Sequence, residues 1–322
     1  MSIQPVLAIH GGAGTISRSV LTPDAEREYT ETLRSILDAG RTALLGGASA
    51  LDAVTLAVSM FEDCPLFNAG RGAVYTSKAT HELDAAIMDG ATLNAGSIAC
   101  VHGVRNPIQA ARVIMEQSRH VLMVGEGAMD FLRAHGVAFE PEEYFHTEHR
   151  FAQLEQARTH DAFGMVLDHD GAAQAAAPLD EKTKMGTVGA VARDMSGALA
   201  AATSTGGLTN KLPGRVGDTP LVGAGCYADG TVAVSCTGTG EYFIRLCVGK
   251  DVAARVAYRG ESLAQAGNAM LAKIGAIGGS GGLIAVDAAG NVVLPFNTDG
   301  MYRGCARADG SSTVAIYGDE TK

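Results

Sequence analysis

The chain has 322 residues, 47% hydrophobic and 19% charged, which excludes a disordered, coiled-coil or collagen-like polypeptide. Its formal charge is −10 and it has no Lys/Arg-rich run, which argues against a nucleic-acid partner. Glycine is the outlier, with 41 residues and no strict period, so the glycines serve turns, close backbone approaches and anion-binding loops.

The first element is a short buried strand over 6–9, followed by a His10-Gly11-Gly12-Ala13-Gly14 loop. Those apolar residues are too few for a signal peptide, and no run of about 18 apolar residues occurs, so the expectation is a soluble cytoplasmic protein with no membrane partner. Thr22 as N-cap, Pro23 at the first position and Asp24 in the first turn open a long helix that should stop at Gly46-Gly47. Ser49 with Asp52 caps a second helix, apolar at Leu51, Val54, Ala57, Val58 and Phe61. A Pro/Gly loop follows through Arg71 and Gly72. Residues 83–88 and 96–101 read as strands, and 107–117 and 129–134 as helices.

After Gly136 the composition changes. Residues 140–184 are polar with little periodicity, and their Gln/Ala/Gly-rich end reads as a mobile linker or a long surface loop, the linker being placed at about 151–184. Short strands are then predicted over 187–192, 198–203, 232–236, 283–287, 292–296 and 313–317, with helices over 242–258 and 263–274. At about 150 residues per domain the length allows two domains, an α/β half and a strand-rich half. The six cysteines form no C-x-x-C pair and read as reduced small hydrophobes. All nine histidines precede Thr187, so chemistry in the second half has no imidazole of its own there.

No P-loop, H-E-x-x-H, nucleotide-binding glycine fingerprint or G-x-S-x-G elbow is present. Gly278 to Gly282 reads as a tight turn before a strand, with an anion nest as the alternative. The informative segment is Lys184-Met185-Gly186-Thr187-Val188-Gly189. A threonine at a strand start is ordinary, but cleavage at Gly186-Thr187 would give Thr187 its own amine, of pKa about 7.7–8.0, as a base. Thr203-Ser204-Thr205-Gly206-Gly207 and Thr237-Gly238-Thr239-Gly240 each set hydroxyls and N–H groups at a strand end, as an oxyanion hole or as generic turns. Arg215 and Asp218, three apart, suit the carboxylate and amine of an amino acid, or form a plain surface pair.

His10-Gly11-Gly12-Ala13-Gly14, Phe67-Asn68-Ala69-Gly70, Glu82-Leu83-Asp84-Ala85, Gly186 to Val191, Gly206 to Lys211, Gly214 to Asp218 and Thr237 to Gly240 occur in that order over nearly the whole chain. Together they resemble the plant-type asparaginase / isoaspartyl aminopeptidase family of N-terminal nucleophile (Ntn) hydrolases. Glycosylasparaginases usually carry an acidic residue before the nucleophile, where this chain has Gly186.

The resemblance implies an α+β fold, a four-layer αββα sandwich, with 1–322 a single domain cut into an α subunit, 1–186, and a β subunit, 187–322. It implies Thr187 as nucleophile, Thr205 supporting its hydroxyl, and Thr237 with Gly238 as oxyanion hole. Arg215 and Asp218 would anchor the substrate α-carboxylate and α-amine, with Gly240 lining the pocket and Asn68 facing the nucleophile. Carbonyls of Phe61, Glu62, Cys64, Phe67, Ala69 and Arg71 would hold a structural sodium ion, with no cofactor for catalysis. The implied protein is an autoprocessed hydrolase of β-aspartyl dipeptides and L-asparagine, working as a dimer of αβ units. A dedicated asparaginase, a related superfamily amidase and an uncleaved small-molecule-binding protein are the alternatives.

Overall fold

In the computed structural model, which describes residues 4–19, 21–162 and 186–320, two β-sheets are packed between two helical layers. The strands are β1 (Val6–Gly14), β2 (Leu83–Asp89), β3 (Ala95–Val101), β4 (Leu122–Val124), β5 (Val188–Arg193) and β6 (Leu199–Thr205). They continue as β7 (Cys226–Ala228), β8 (Val232–Gly238), β9 (Gly281–Asp287), β10 (Val292–Val293), β11 (Gly300–Arg307) and β12 (Ser312–Tyr317). The larger sheet has the order β12-β11-β1-β5-β6-β2-β3-β4 and the smaller β10-β9-β8-β7. Pairing is antiparallel except between β3 and β4.

Alternation along the central strands makes the layers. Leu7 and Ile9 of β1, Ala190 and Ala192 of β5, and Ala200 and Ala202 of β6 join one core with α1 (Pro23–Leu45), α2 (Ala50–Asp63), α3 (Pro107–Gln117) and α4 (Gly125–Ala134). Val6, Ala8, Val191 and Ala201 point the other way, into a second core with β8, β9 and the helices α7 (Gly240–Leu246), α8 (Val248–Arg259) and α9 (Leu263–Ala276). This is the αββα sandwich. β1 lies between β11 and β5, so the two halves of the chain share one sheet and the two-domain estimate from length is corrected.

Thr22 caps α1 and a Ser49–Asp52 capping box opens α2, both as expected. Several other bounds differ. β1 runs on through His10 to Gly14, because β11 supplies partners along that stretch where a loop was expected. The helix expected over 242–258 is broken at Cys247, whose φ of 47° lies in the left-handed region. The strand expected over 292–296 shortens to β10. The turn at Gly278 leads into β9, which begins at Gly281. Two helices missed by the sequence reading are α5 (Glu142–Phe145) and α6 (Glu148–Ala162). The linker expected from about 151 is therefore helical as far as 162. Its buried residues, Arg150, Gln153 and Leu154, are mostly polar, so a hydrophobic period could not reveal it. The rest of that linker, 163–184, lies outside the described residues. Of the cysteines, Cys226, Cys236 and Cys305 are buried, Cys64 and Cys100 half-buried, and Cys247 exposed; all six are free thiols.

Candidate active site

Four strand ends meet at one edge of the two sheets. Thr187 immediately precedes β5, Thr205 ends β6, Thr237 lies at the end of β8, and β1 finishes beside them. Register brings the first two together, since Val188 pairs with Ser204. Thr187 Oγ1 then donates to Thr205 Oγ1 at 3.2 Å. Thr205 Oγ1 also accepts from the Gly207 amide at 3.0 Å, which fixes it as an acceptor facing Thr187. Thr237 Oγ1 lies 3.4 Å from the Thr187 amide and 3.3 Å from the Ala13 amide, tying β8, β5 and β1 at one point. All three threonines are buried.

The bond before Thr187 is closely confined. Gly12 has φ +113°, and a Cβ there would lie 2.5 Å from Gly186 Cα. Only glycine at position 12 satisfies both the backbone angle and this approach. Gly186 forms part of a small pocket with Thr187, Thr205, Thr237, Gly238 and the pair Arg215 and Asp218, and Gly240 also lines it. Its volume is about 10 Å³ in this intact chain.

Arg215 reaches this pocket with one edge of its guanidinium already engaged: Nε and Nη2 donate to the Glu241 carboxylate, each at 2.8 Å. Glu241 directly follows the Thr237–Gly240 motif but was not singled out from sequence. Asp218 is buried, and burial raises its carboxyl to about 7, with Arg215 opposing and Glu241 and Asp84 reinforcing the rise. Its Oδ2 has no hydrogen-bond partner among the described residues, as suits a carboxylate awaiting a cation.

Sequence reasoning missed the imidazole behind the nucleophile. His10 pairs with Gly189 across β1 and β5, and its Nε2 lies 2.9 Å from Ser235 Oγ. Ser235 Oγ in turn lies 2.7 Å from Thr203 Oγ1. Burial drops His10 to about 3, partly offset by the Thr187 backbone, so it stays neutral. It shapes the site through hydrogen bonds rather than charge. Nothing in its position in sequence shows this, because only the β1–β5 pairing brings it beneath Thr187. Lys211 and Glu82 form a second buried support. Lys211 Nζ donates to the Glu82 carbonyl at 3.0 Å, and the Glu82 carboxylate accepts from the Gly214 amide at 2.9 Å, next to Arg215.

Asn68 is outside the small pocket. Its Nδ2 donates to the Gly207 carbonyl at 2.7 Å and its Oδ1 accepts from the Val74 amide at 3.0 Å, so it braces the Thr205–Gly207 turn. The loop from Phe61 to Arg71 starts at the C-terminal end of α2, where last-turn carbonyls lack helical partners and the dipole is negative. Gly70, at φ +50°, sits so close that a Cβ would lie 2.5 Å from the Glu62 carbonyl oxygen. The Phe61, Phe67 and Ala69 carbonyls each accept one backbone N–H, at 3.1, 2.9 and 3.1 Å, which leaves each a second lone pair. Glu62 Oε1 accepts from Ser204 Oγ at 2.6 Å and the Ile108 amide at 2.9 Å, and burial raises its carboxyl to about 8. Among the described residues no group of three or more His, Cys, Asp or Glu side chains is placed to hold a metal. None of their helices is long and apolar enough to cross a membrane.

A family model described as asparaginase matches residues 3–316. An isoaspartyl peptidase of Escherichia coli (strain K12) is 58% identical over 314 residues, covering 97% of this chain and 96% of its own. One of Salmonella typhimurium is 58% identical over 314 residues, covering 97% and 98%. A plant-type L-asparaginase of Pyrococcus horikoshii is 41% identical over 297 residues, covering 92% and 94%.

Proposed function

The chain belongs to the plant-type asparaginase and isoaspartyl peptidase family of Ntn hydrolases, and on that footing we infer that it is an autoprocessing threonine hydrolase of β-aspartyl dipeptides and L-asparagine. The observation carrying the residue roles is the meeting of Thr187, Thr205, Thr237, Arg215 and Asp218 around one pocket.

In maturation, Thr187 Oγ attacks the Gly186 carbonyl carbon. The C–N bond breaks, an ester forms, and the hydroxyl proton passes to the Thr187 nitrogen. Water hydrolyses the ester, releasing Gly186 as a carboxylate and Thr187 with a free amine. That amine is the base the second half of the chain otherwise lacks. Two subunits, 1–186 and 187–322, result, and a dimer of such pairs is the assembly we propose. The small pocket supports this order of events, since about 10 Å³ holds roughly one water and no amino acid while Gly186 occupies its wall.

In turnover, Arg215 takes the substrate α-carboxylate on the guanidinium edge that Glu241 leaves open, and Asp218 takes the α-ammonium. The Thr187 amine accepts the proton of Oγ as the Oγ–C bond forms, while the Thr237 hydroxyl and Gly238 N–H stabilise the oxyanion. The proton then goes to the departing nitrogen as the amide C–N bond breaks. Water, deprotonated by the same amine, hydrolyses the ester to aspartate. Thr205 orients Oγ1 throughout, and Gly240 keeps the pocket floor free of a side chain.

A sodium ion fits the Phe61–Arg71 loop by donor chemistry, since backbone carbonyls at a helix C-terminus suit a hard cation. Carbonyls of Phe61, Glu62, Cys64, Phe67, Ala69 and Arg71 would hold it. Its place is structural, fixing the loop whose Glu62 side chain reaches Ser204, next to Thr205. A cytoplasmic location is consistent with the six free thiols. Denaturing electrophoresis, with steady-state kinetics on a β-aspartyl dipeptide and on L-asparagine, tests the reading. A single uncleaved band with full activity would refute it, and activity on asparagine alone would leave a dedicated asparaginase.

A further inference from the structure

A second cleft, of about 330 Å³, adjoins the Arg215–Asp218 pocket at Gly186, which lines both. One wall is aromatic: Tyr29 stacks on Tyr302 at 4.3 Å, and both meet Phe67 edge-on. The other carries Arg150, only 8% exposed.

Among the described residues, the guanidinium of Arg150 is held by neutral oxygens alone. Nε donates to the Gly72 carbonyl at 2.8 Å, Nη1 to Gln153 Oε1 at 3.0 Å and Nη2 to the Leu66 carbonyl at 3.3 Å. A guanidinium has five N–H donors. Two therefore take no acceptor among the described residues, and none of those residues pairs a carboxylate with it. A buried cation with no counter-charge among the described residues is costly there, and this one lines the cleft.

We propose that this cleft is the subsite for the leaving residue of a β-aspartyl dipeptide, with Arg150 receiving that residue's free α-carboxylate and the aromatic wall its apolar side chain. The proposal rests on the hydrolase reading above. It follows from direction. The aspartyl head is anchored in the Arg215–Asp218 pocket and the scissile carbonyl lies at Thr187 Oγ1, so the departing amine extends away from the head, past the place of Gly186. Asparagine releases ammonia and has nothing to put there. The head pocket thus serves both substrates, and the cleft separates them. It selects dipeptides with a free C-terminus and an apolar second residue.

The test compares wild-type enzyme on β-aspartyl-leucine, on the same dipeptide with its C-terminus amidated, and on L-asparagine. Losing a charge-assisted contact to a buried guanidinium should cost the amide at least about tenfold in kcat/KM, mostly through KM. In Arg150→Met, the dipeptide-to-asparagine ratio of kcat/KM should fall by a similar factor, and the gap between acid and amide should close. Wild type treating acid and amide alike would overturn the proposal and leave Arg150 as a clamp on the 66–72 loop, with no dependence on the variant folding. A gap that persists in Arg150→Met would overturn it too. Wild type cleaving neither dipeptide nor asparagine would instead remove the hydrolase reading, and this subsite with it.

Discussion

Arg215 holds the Glu241 carboxylate by two parallel 2.8 Å hydrogen bonds, so the residue expected to bind the substrate is itself oriented by an acid. Glu241 fixes the plane of the fork, and the free Nη edge is thereby aimed. Arg215→Lys keeps the charge and loses both the fork and this orientation. We expect a loss of about 2–4 kcal/mol, roughly 30- to 1000-fold in kcat/KM, alike for asparagine and β-aspartyl dipeptides. Autocleavage should be largely retained, because Gly186-Thr187 presents no α-carboxylate to position 215. Parallel kinetics on both substrates check this, and a loss confined to one of them would contradict a shared head pocket.

Thr187→Ala removes the hydroxyl that attacks the Gly186 carbonyl in the proposed maturation. The variant should stay one chain and be inactive. Intact mass spectrometry should show wild type as 1–186 and 187–322, and the variant as 1–322. A cleaved Thr187→Ala chain would mean that another group or a protease cuts the bond.

Gly12→Ala places a Cβ against Gly186 and forces alanine to φ +113°. Strain of about 1–3 kcal/mol should appear as a lower melting temperature and slower maturation. A time course of precursor loss on a denaturing gel measures the second effect. Maturation at the wild-type rate would show that the Gly12–Gly186 contact does not hold the scissile bond.

The raised carboxyl of Asp218, about 7 against an ordinary 3.8, has two consequences. In the empty site the native state carries a proton that the unfolded chain has lost between about pH 4 and 7. The group's contribution to stability therefore declines as pH rises across that window. Binding runs the opposite way, since only the carboxylate pairs with an ammonium. Competitive inhibition by L-aspartate should tighten as pH rises towards and through about 7. Asp218→Asn should bind weakly at every pH, with that dependence gone, whereas a flat wild-type profile would mean Asp218 is charged throughout.

The carbonyl loop at the end of α2 should respond to sodium. Exchanging sodium for choline at constant ionic strength removes a ligand that binds only the folded loop, and should lower the melting temperature by about 2–4 °C for each kcal/mol of binding. Identical melting in the two salts would exclude a sodium site of useful affinity there.

The sequence alone determined those features whose causes are local. Thr22 and Ser49 start their helices because each caps its own first turn. The helix over Pro107–Gln117 follows from its Pro and its apolar spacing. The Gly186-Thr187 junction, the Thr/Gly strand ends and the Arg215–Asp218 spacing were legible because each is a short contiguous pattern, and their order along the chain carried the family resemblance. Tertiary structure decided what depends on distant partners. β11 has no clear alternation, and its identity comes from pairing with β1 and β12. His10 reaches the nucleophile only because β1 pairs with β5, and Arg150 is buried only because Leu66, Gly72 and Gln153 supply its acceptors. A polar side chain in the interior leaves no hydrophobic period to read, so its role becomes visible only when the fold brings its hydrogen-bond partners together.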